Sequence, residues 1–160
     1  MCWRLSSKDF RAATGEANRK AFAKIVKGGA VPGLLAYDGE EPVGWCAVAP
    51  REAYKRFETA RTLKPIDEQP VWSVSCFFIG KGHRRKGLTV KLLEAAKKHV
   101  KQQGGTLLEG YPVVPKGDAV DTFAWNGLLG AFEKAGFEVA ARPSAARAIV
   151  RFELAKKRRR

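Results

Sequence analysis

The run VWSVSCFFIGKGHRRKGLTVKLLEAAKKHVKQQGG, residues 71–105, decides the fold of this chain. Its first part, residues 71–79, is aromatic, β-branched and uncharged, which is typical of a buried β-strand. Residues 86–103 have apolar side chains at helical spacing, which predicts an amphipathic helix. The apolar face of that helix comprises Leu92, Leu93, Ala96 and Val100. Gly104 and Gly105 then end the helix.

The loop between this strand and this helix, residues 80–87, is rich in glycine and basic side chains. It leads into a helix N-terminus, where the first amide groups have no partner within the helix and the macrodipole leaves a partial positive charge. Gly87 has no Cβ, so a ligand can approach the backbone there. The sequence therefore predicts an anion-binding site at this end of the helix.

Two short motifs resemble those of the GNAT superfamily of N-acetyltransferases. The run Arg84, Arg85, Lys86, Gly87, Leu88 and Thr89 resembles the family's R/Q-x-x-G-x-G/A motif, which follows a central strand and opens a helix. Residues 132–137, FEKAGF, resemble its Y-x-x-x-G-F signature. The chain differs from the family at two of these positions, because Thr89 replaces Gly or Ala and Phe132 replaces the tyrosine.

The resemblance implies that acetyl-CoA is the cosubstrate and that no metal is needed. The pyrophosphate would contact backbone amides of the basic loop, contributed by Arg85, Lys86, Gly87, Leu88 and Thr89. Side chains of Arg84, Arg85 and Lys86 would add positive charge. The pantetheine arm would pair, like an added strand, with backbone groups of Phe77, Phe78 and Ile79.

The chemistry of an N-acetyltransferase requires a base for an ammonium acceptor and often an acid for the leaving thiolate. Glu109 is the candidate base, because it ends a predicted strand that the family fold places near the thioester. Phe132 has no proton to give, so the family's usual acid is missing. Tyr111, near the same strand end, is the candidate substitute, with water as the alternative.

The order of the predicted elements is also that of the GNAT family. Before the central strand and helix, the sequence predicts a first strand at Cys2–Leu5, helices over residues 8–27 divided at Gly15, a hairpin of strands 34–37 and 43–49, and a short helix or loop at 51–59. After them it predicts a strand at 106–109, a helix from Asp121 or Thr122 to Ala135, and strands 137–142 and 147–154. The resemblance implies an α/β fold: a mixed, mostly antiparallel twisted sheet flanked by helices on both faces. Residues 1–154 are expected to form one domain, followed by a disordered basic tail, residues 155–160.

The composition bounds the class of protein. The 160 residues contain 29% charged and 45% hydrophobic side chains, which is typical of a globular domain. No apolar run approaches the roughly 20 residues of a membrane span, and the first residues lack a signal-peptide pattern, so a cytoplasmic location is expected. Cys2, Cys46 and Cys76 have neither disulfide nor zinc-site spacing.

The net charge of +14 suggests an alternative to the acetyltransferase function. Residues 81–101 contain eight Lys or Arg against one acidic residue, and the tail adds five more basic residues. A basic nucleic-acid-binding protein would use the tail and one face of the central helix, whose basic residues are Lys91, Lys97, Lys98 and Lys101. A catalytically silent acyl-CoA sensor is the other alternative, because of Phe132. The amine acceptor, a small molecule or a peptide, is not identified by the sequence, and a homodimer is left open.

Overall fold

The computed structural model describes residues 2–13, 15–115 and 124–154. It contains a six-stranded sheet with the order β1-β2-β3-β4-β6-β5. The strands are β1 (Gly33–Asp38), β2 (Glu41–Pro50), β3 (Trp72–Ile79), β4 (Leu107–Gly110), β5 (Glu138–Ser144) and β6 (Arg147–Glu153). Neighbouring strands are antiparallel except β3 and β4, which are parallel. The predicted fold class, mixed and mostly antiparallel, is confirmed.

Helices flank the sheet. They are α1 (Ser7–Ala12), α2 (Gly15–Lys27), α3 (Arg56–Thr59), α4 (Leu88–Gln102) and α5 (Leu129–Lys134). Short 3₁₀ turns lie at Arg51–Ala53, Arg61–Leu63, Lys81–His83 and Ala124–Asn126. The division at Gly15 is confirmed, because α1 ends before this residue and α2 begins there. The Ser6 hydroxyl caps α1 by accepting a hydrogen bond from the Asp9 amide at 3.1 Å.

The predicted first strand at Cys2–Leu5 is wrong, because this segment forms a turn. The Trp3 ring packs on Phe57 with a centroid distance of 5.3 Å, and the Trp3 carbonyl accepts a hydrogen bond from the Arg56 amide at 3.2 Å. The segment is therefore attached to α3 rather than to the sheet. Its apolar residues suggested a strand, but a helix turn distant in sequence supplies their packing partner.

The predicted helix from residue 121 or 122 is also partly wrong. Residues 116–123 lie outside the described chain, and residues 124–126 form a 3₁₀ turn instead. Gly127 follows with a positive φ of 81°, and α5 begins only at Leu129. A left-handed residue cannot continue an α-helix, so the glycine separates the turn from α5.

Two apolar clusters lie on opposite faces of the sheet. The first is formed mainly by α4 and α5 against β2, β3, β4 and β6, with Leu93, Phe132 and Val150 among its fully buried members. The second packs Tyr54, Phe57 and Leu63 of the connection between β2 and β3. The predicted basic tail, residues 155–160, lies outside the described residues. No helix in the described part of the chain is long and apolar enough to span a membrane.

Candidate active site

The parallel strands β3 and β4 pair over three residues only and then separate. The pairs are Trp72 with Leu108, Ser73 with Glu109 and Val74 with Gly110. Strand β4 ends at Gly110, whereas β3 continues to Ile79, and no strand of the described chain pairs with residues 75–79 on that side. We call the point of separation the fork. An exposed strand edge such as this can pair with an extended ligand, as it would with another strand.

Side chains hold both ends of this unpaired stretch. The Asn126 amide donates a hydrogen bond to the Ser75 carbonyl at 2.7 Å, and the Arg84 guanidinium donates one to the Ile79 carbonyl at 3.1 Å. Asn126 is itself held, because its side-chain oxygen accepts a hydrogen bond from Arg147 at 2.9 Å. Phe77 lies between the two anchored carbonyls. The predicted pantetheine contacts, Phe77, Phe78 and Ile79, therefore lie together on the open side of the fork.

A β-bulge marks the vertex of the fork. Ala47 of β2 pairs with Cys76 and Val48 pairs with Val74, so Ser75 has no partner residue in β2. A bulge adds a residue to one strand and bends it locally, which is a common device beside functional sites. Ser75 is therefore the residue at which β3 separates from β4, whereas its pairing with β2 resumes at Cys76.

The basic loop after β3 has an unusual backbone. Arg85 has a φ of 60° and Gly87 a φ of 76°, and Arg85 is the only non-glycine residue in the described chain with a positive φ. Gly87 is the N-cap of α4. Among the described residues, no side chain caps the first amides of α4, and none has an atom within 4 Å of a Cβ built on Gly87. Left-handed residues change the direction of the chain, so that neighbouring amides can turn toward one concave surface that binds anions. These features fit a phosphate ligand.

Gly44 of β2 brings this helix N-terminus close to the sheet. A Cβ at Gly44 would lie 3.1 Å from the Leu88 side chain and 3.3 Å from the Ala36 Cβ. Gly44 pairs with Ile79 across β2 and β3, so the start of α4 lies directly beside the end of the unpaired stretch. The candidate phosphate site and the candidate pantetheine site are thus continuous.

The candidate base, Glu109, lies in a buried ionic network. Its carboxylate accepts hydrogen bonds from Arg51 at 3.2 Å, from Arg151 at 2.8 Å and from the Tyr111 hydroxyl at 2.7 Å. Only 1% of the Glu109 surface is exposed. Both carboxylate oxygens are therefore occupied by donors, and no oxygen is turned toward solvent.

The candidate acid, Tyr111, belongs to the same network and is fully buried. Its oxygen accepts hydrogen bonds from Arg51 and from Ser73, each at 2.7 Å, while its proton points to Glu109. Burial, and secondarily the neighbouring Glu109 charge, raises the pKa of Tyr111 well above its usual value. The phenol thus has all of its hydrogen-bonding capacity satisfied within the protein.

Asp67 extends this network to the surface. The Arg151 guanidinium contacts both oxygens of its carboxylate, at 2.5 Å and 3.1 Å. This hydrogen-bonded pairing, helped by the Gln69 amide, lowers the pKa of Asp67 to about 2. This network attaches the connection between β2 and β3 to the face of the sheet that carries the second apolar cluster. Its members are Arg51, Asp67, Glu109, Tyr111 and Arg151.

Phe132 occupies the space beside β4. Its ring packs edge-on against Phe77 and Phe137 and leaves no room at Gly110, where a Cβ would lie 2.2 Å from the Phe132 Cε1. Phe132 is fully buried. At the position that the family gives to a tyrosine, this chain therefore places a purely apolar core residue.

The sequence analysis missed three residues at the fork. Tyr54, Ser75 and Asn126 are all buried there, and none belongs to a recognisable motif. A weak signal was present, because Ser73 and Ser75 interrupt an otherwise apolar strand, and buried polar groups normally need partners. Within the described residues, no group of three His, Cys, Asp or Glu side chains is placed to hold a metal ion.

Solved structures similar to this one include three acetyltransferases at low sequence identity. A protein from Desulfovibrio desulfuricans, assigned to the GNAT family, superposes with a TM-score of 0.57 at 20% identity, over 90% of this chain and 87% of that chain. A Salmonella typhimurium protein solved with acetyl-CoA has a TM-score of 0.58 at 14% identity, over 91% of this chain and 78% of that chain. The ribosomal-protein-alanine N-acetyltransferase of Brucella melitensis has a TM-score of 0.56 at 15% identity, with coverages of 88% and 80%.

The sequence itself matches a family model. No curated protein matches the chain. The model of the acetyltransferase (GNAT) family, however, matches residues 1–115, well over half of the sequence. That range contains the fork, the bulge and the whole basic loop. This chain belongs to the GNAT family of acetyltransferases.

Proposed function

We propose that this protein is an N-acetyltransferase that transfers the acetyl group of acetyl-CoA to an amine acceptor. One observation carries the proposal: the unpaired stretch of β3 is followed, through the basic loop, by the helix N-terminus of α4, which no side chain caps in the described residues. An extended thiol arm ending in a pyrophosphate has this same succession of parts. Acetyl-CoA, when bound, supplies an acetyl group activated as a thioester.

Each part of the cosubstrate would have its own contacts. The backbone of Phe77, Phe78 and Ile79 offers the free strand edge for the pantetheine arm. The loop of Arg84, Arg85, Lys86, Gly87, Leu88 and Thr89 offers amides and positive side chains for the pyrophosphate. The open space beside Gly87 supports this assignment, because a ligand can reach the backbone there without displacing a side chain.

The acceptor is proposed to be a primary amine on a small molecule or a peptide. Phe78 and Trp125 are both largely exposed, and the turn that carries Trp125 is anchored to β3 by Asn126. Exposed aromatic side chains beside an opening offer apolar contact to an incoming ligand. A homodimer and a cytoplasmic location stay predictions.

Glu109 remains the predicted base and Tyr111 the predicted acid, but their contacts do not support direct proton transfer. A base must come within hydrogen-bond reach of the proton that it accepts. The carboxylate of Glu109 is enclosed by Arg51, Arg151 and Tyr111 instead. These contacts favour a role in positioning the segment over the sheet. For the same reason a silent acyl-CoA sensor stays a second candidate.

Calorimetry with acetyl-CoA, followed by a thiol-release assay across a panel of amines, tests the proposal. We expect binding of acetyl-CoA and amine-dependent release of CoA. Tight binding without thiol release for any amine would support the sensor. Absence of binding would contradict both functions.

A nucleic-acid-binding function has less support. Of the four lysines assigned to the basic face, Lys97 is turned inward: it is hydrogen-bonded to Glu94 at 2.7 Å and to the Ala135 carbonyl, and lies 4.0 Å from the centre of the Phe152 ring. It therefore does not contribute to an exposed phosphate-binding surface. Nonspecific contact between the basic tail and nucleic acid stays a prediction, since the tail lies outside the described residues.

A further inference from the structure

Two buried hydroxyl groups at the fork have no hydrogen bond of normal geometry to any of the described residues. Tyr54 is 2% exposed and Ser75 is 1% exposed, and their side-chain oxygens are both unpaired. The two hydroxyls are neighbours, and their interaction lowers the pKa of Tyr54, but the contact does not reach normal hydrogen-bond geometry. An unsatisfied buried hydroxyl costs about 1–3 kcal/mol, so such a pair needs an explanation.

The position of this hydroxyl pair relates it to the reaction. Ser75 is the bulged residue at the vertex of the fork, and its carbonyl is fixed by Asn126 at 2.7 Å. The next residue, Cys76, is partly exposed, so the protein surface comes within one residue of the pair. If the pantetheine arm lies along Phe77–Ile79 as proposed, its acyl end reaches the vertex. The inference that follows rests on that proposed function.

The other candidate hydroxyl donors near the fork are already hydrogen-bonded, or the side chain has no hydroxyl group. Phe132 has no hydroxyl, and the Tyr111 proton is used by Glu109 at 2.7 Å. The Ser73 hydroxyl is paired with Tyr111 at the same distance. Of the polar side chains named here, Tyr54 and Ser75 are the two whose hydroxyl groups are free to donate a hydrogen bond to a ligand.

We propose that the hydroxyls of Tyr54 and Ser75 bind the acetyl carbonyl oxygen of acetyl-CoA and stabilise the negative charge that it gains during transfer. The amine lone pair forms the new C–N bond, and the carbonyl π electrons move onto this oxygen. When the carbonyl re-forms, the C–S bond breaks and its electron pair leaves with the CoA sulfur as thiolate. The proton lost by the amine passes to solvent, and solvent protonates the thiolate. The two hydroxyls keep their protons throughout.

The surroundings of Tyr54 suit a donor that keeps its proton. Burial raises its pKa to about 12, although Ser75 and the Arg4 charge act in the opposite direction. The Arg4 guanidinium lies 5.1 Å from the centre of the Tyr54 ring, and a cation over the ring polarises the phenol. A neutral phenol at physiological pH donates a hydrogen bond to an oxygen that becomes negative, which is the usual form of oxyanion stabilisation.

The variant Tyr54→Phe removes the hydroxyl and keeps the ring. If the pair binds the acyl oxygen, turnover in the amine panel falls by about 10²-fold to 10³-fold, the usual loss for one oxyanion donor. The KM for acetyl-CoA stays nearly constant, because the charge develops only during transfer. The melting temperature stays equal or rises, because an unsatisfied hydroxyl is removed. Tyr37→Phe is the matched control, since Tyr37 is an exposed tyrosine of β1 and its variant should match the parent.

A second measurement needs no acceptor. Acetyl-CoA labelled with ¹³C at the thioester carbonyl gives an isotope-specific infrared band, which moves to lower frequency when the oxygen accepts hydrogen bonds. We expect that shift in the parent and a smaller one in Tyr54→Phe and in Ser75→Ala. Ser75→Ala serves alone if Tyr54→Phe does not fold.

The outcomes separate the two proposals. Bound acetyl-CoA with the same carbonyl band in the parent and both variants would overturn the role of the hydroxyl pair and leave the proposed function standing. A parent that does not bind acetyl-CoA in calorimetry would overturn both. A lowered melting temperature with undiminished turnover in Tyr54→Phe would show that the hydroxyl is structural.

Discussion

The Tyr111 hydroxyl donates a hydrogen bond to the Glu109 carboxylate at 2.7 Å, deep beneath the connection between β2 and β3. The two residues flank Gly110, the last residue of β4, and Arg51 contacts both of them. The predicted base and the predicted acid are thus hydrogen-bonded to each other rather than free to contact substrates. This contact makes the candidate base and acid of the sequence analysis parts of one structural unit.

Replacing Glu109 by Gln should therefore affect stability first. Arg51 and Arg151 would keep their charges and lose their shared buried partner, and breaking a buried ion pair typically costs about 3–5 kcal/mol. Thermal unfolding measures the loss. The control is Glu16→Gln, which breaks exposed pairs with Arg19 and Lys20 and should cost about 1 kcal/mol or less.

The same variant tests the predicted role of Glu109 as the base. At a temperature where it remains folded, we expect turnover close to that of the parent. A fall of about 10²-fold to 10⁴-fold, partly reversed at higher pH where free amine is abundant, would instead support general-base catalysis by this residue.

Gly87→Ala should abolish or strongly weaken acetyl-CoA binding. The new Cβ lies more than 4 Å from the other described residues, in the space through which the pyrophosphate would approach the amides. The matched control is Gly104→Ala at the other end of α4, where φ is also positive, at 81° against 76°, and the space is also open. Both variants carry the same backbone strain, of order 1 kcal/mol. Equal acetyl-CoA affinities of the two variants in calorimetry would contradict the loop assignment.

Gly110→Ala should destabilise the fold, because its Cβ would collide with the Phe132 ring. Overpacking of this kind typically costs about 1–3 kcal/mol. Gly130→Ala in α5 is the control, since a Cβ there meets none of the described residues within 4 Å and alanine favours helix. Denaturant unfolding should show a loss for the first variant and an unchanged or higher stability for the second. A neutral Gly110→Ala would mean that the Phe132 ring moves aside at little cost.

Asp67→Asn should remove part of the acid sensitivity of the protein. The Arg151 contact lowers the pKa of Asp67 from 3.8 to about 2 in the folded state. A lowered pKa means that the stabilisation is complete above pH 4 and is lost as the pH falls toward 2. The free energy of unfolding of the parent should therefore decrease over this window more steeply than that of the variant. Parallel curves for the two proteins would show that the contact contributes nothing.

The fold class and the basic loop were predictable because their signals are local. Glycine positions, apolar periodicity and the hexapeptide from Arg84 to Thr89 each describe backbone conformation over a few neighbouring residues. The hairpin and α4 were found with errors of one or two residues at their ends. Where a local signal was ambiguous, as at Cys2–Leu5, the prediction was wrong because a distant α3 supplies the packing.

The sequence by itself determined the order of the six strands and of α4, and it predicts an anion site in the basic loop, since these signals come from near neighbours in the chain. Only the tertiary structure decided what the polar side chains do. Glu109 finds Arg51 at a separation of 58 residues and Arg151 at 42, and no periodicity encodes such distances. Tyr54 and Ser75 likewise become neighbours only in the folded chain. Electrostatic contacts act through space, so which charges and hydroxyls are satisfied is known only after the sheet has brought distant residues together.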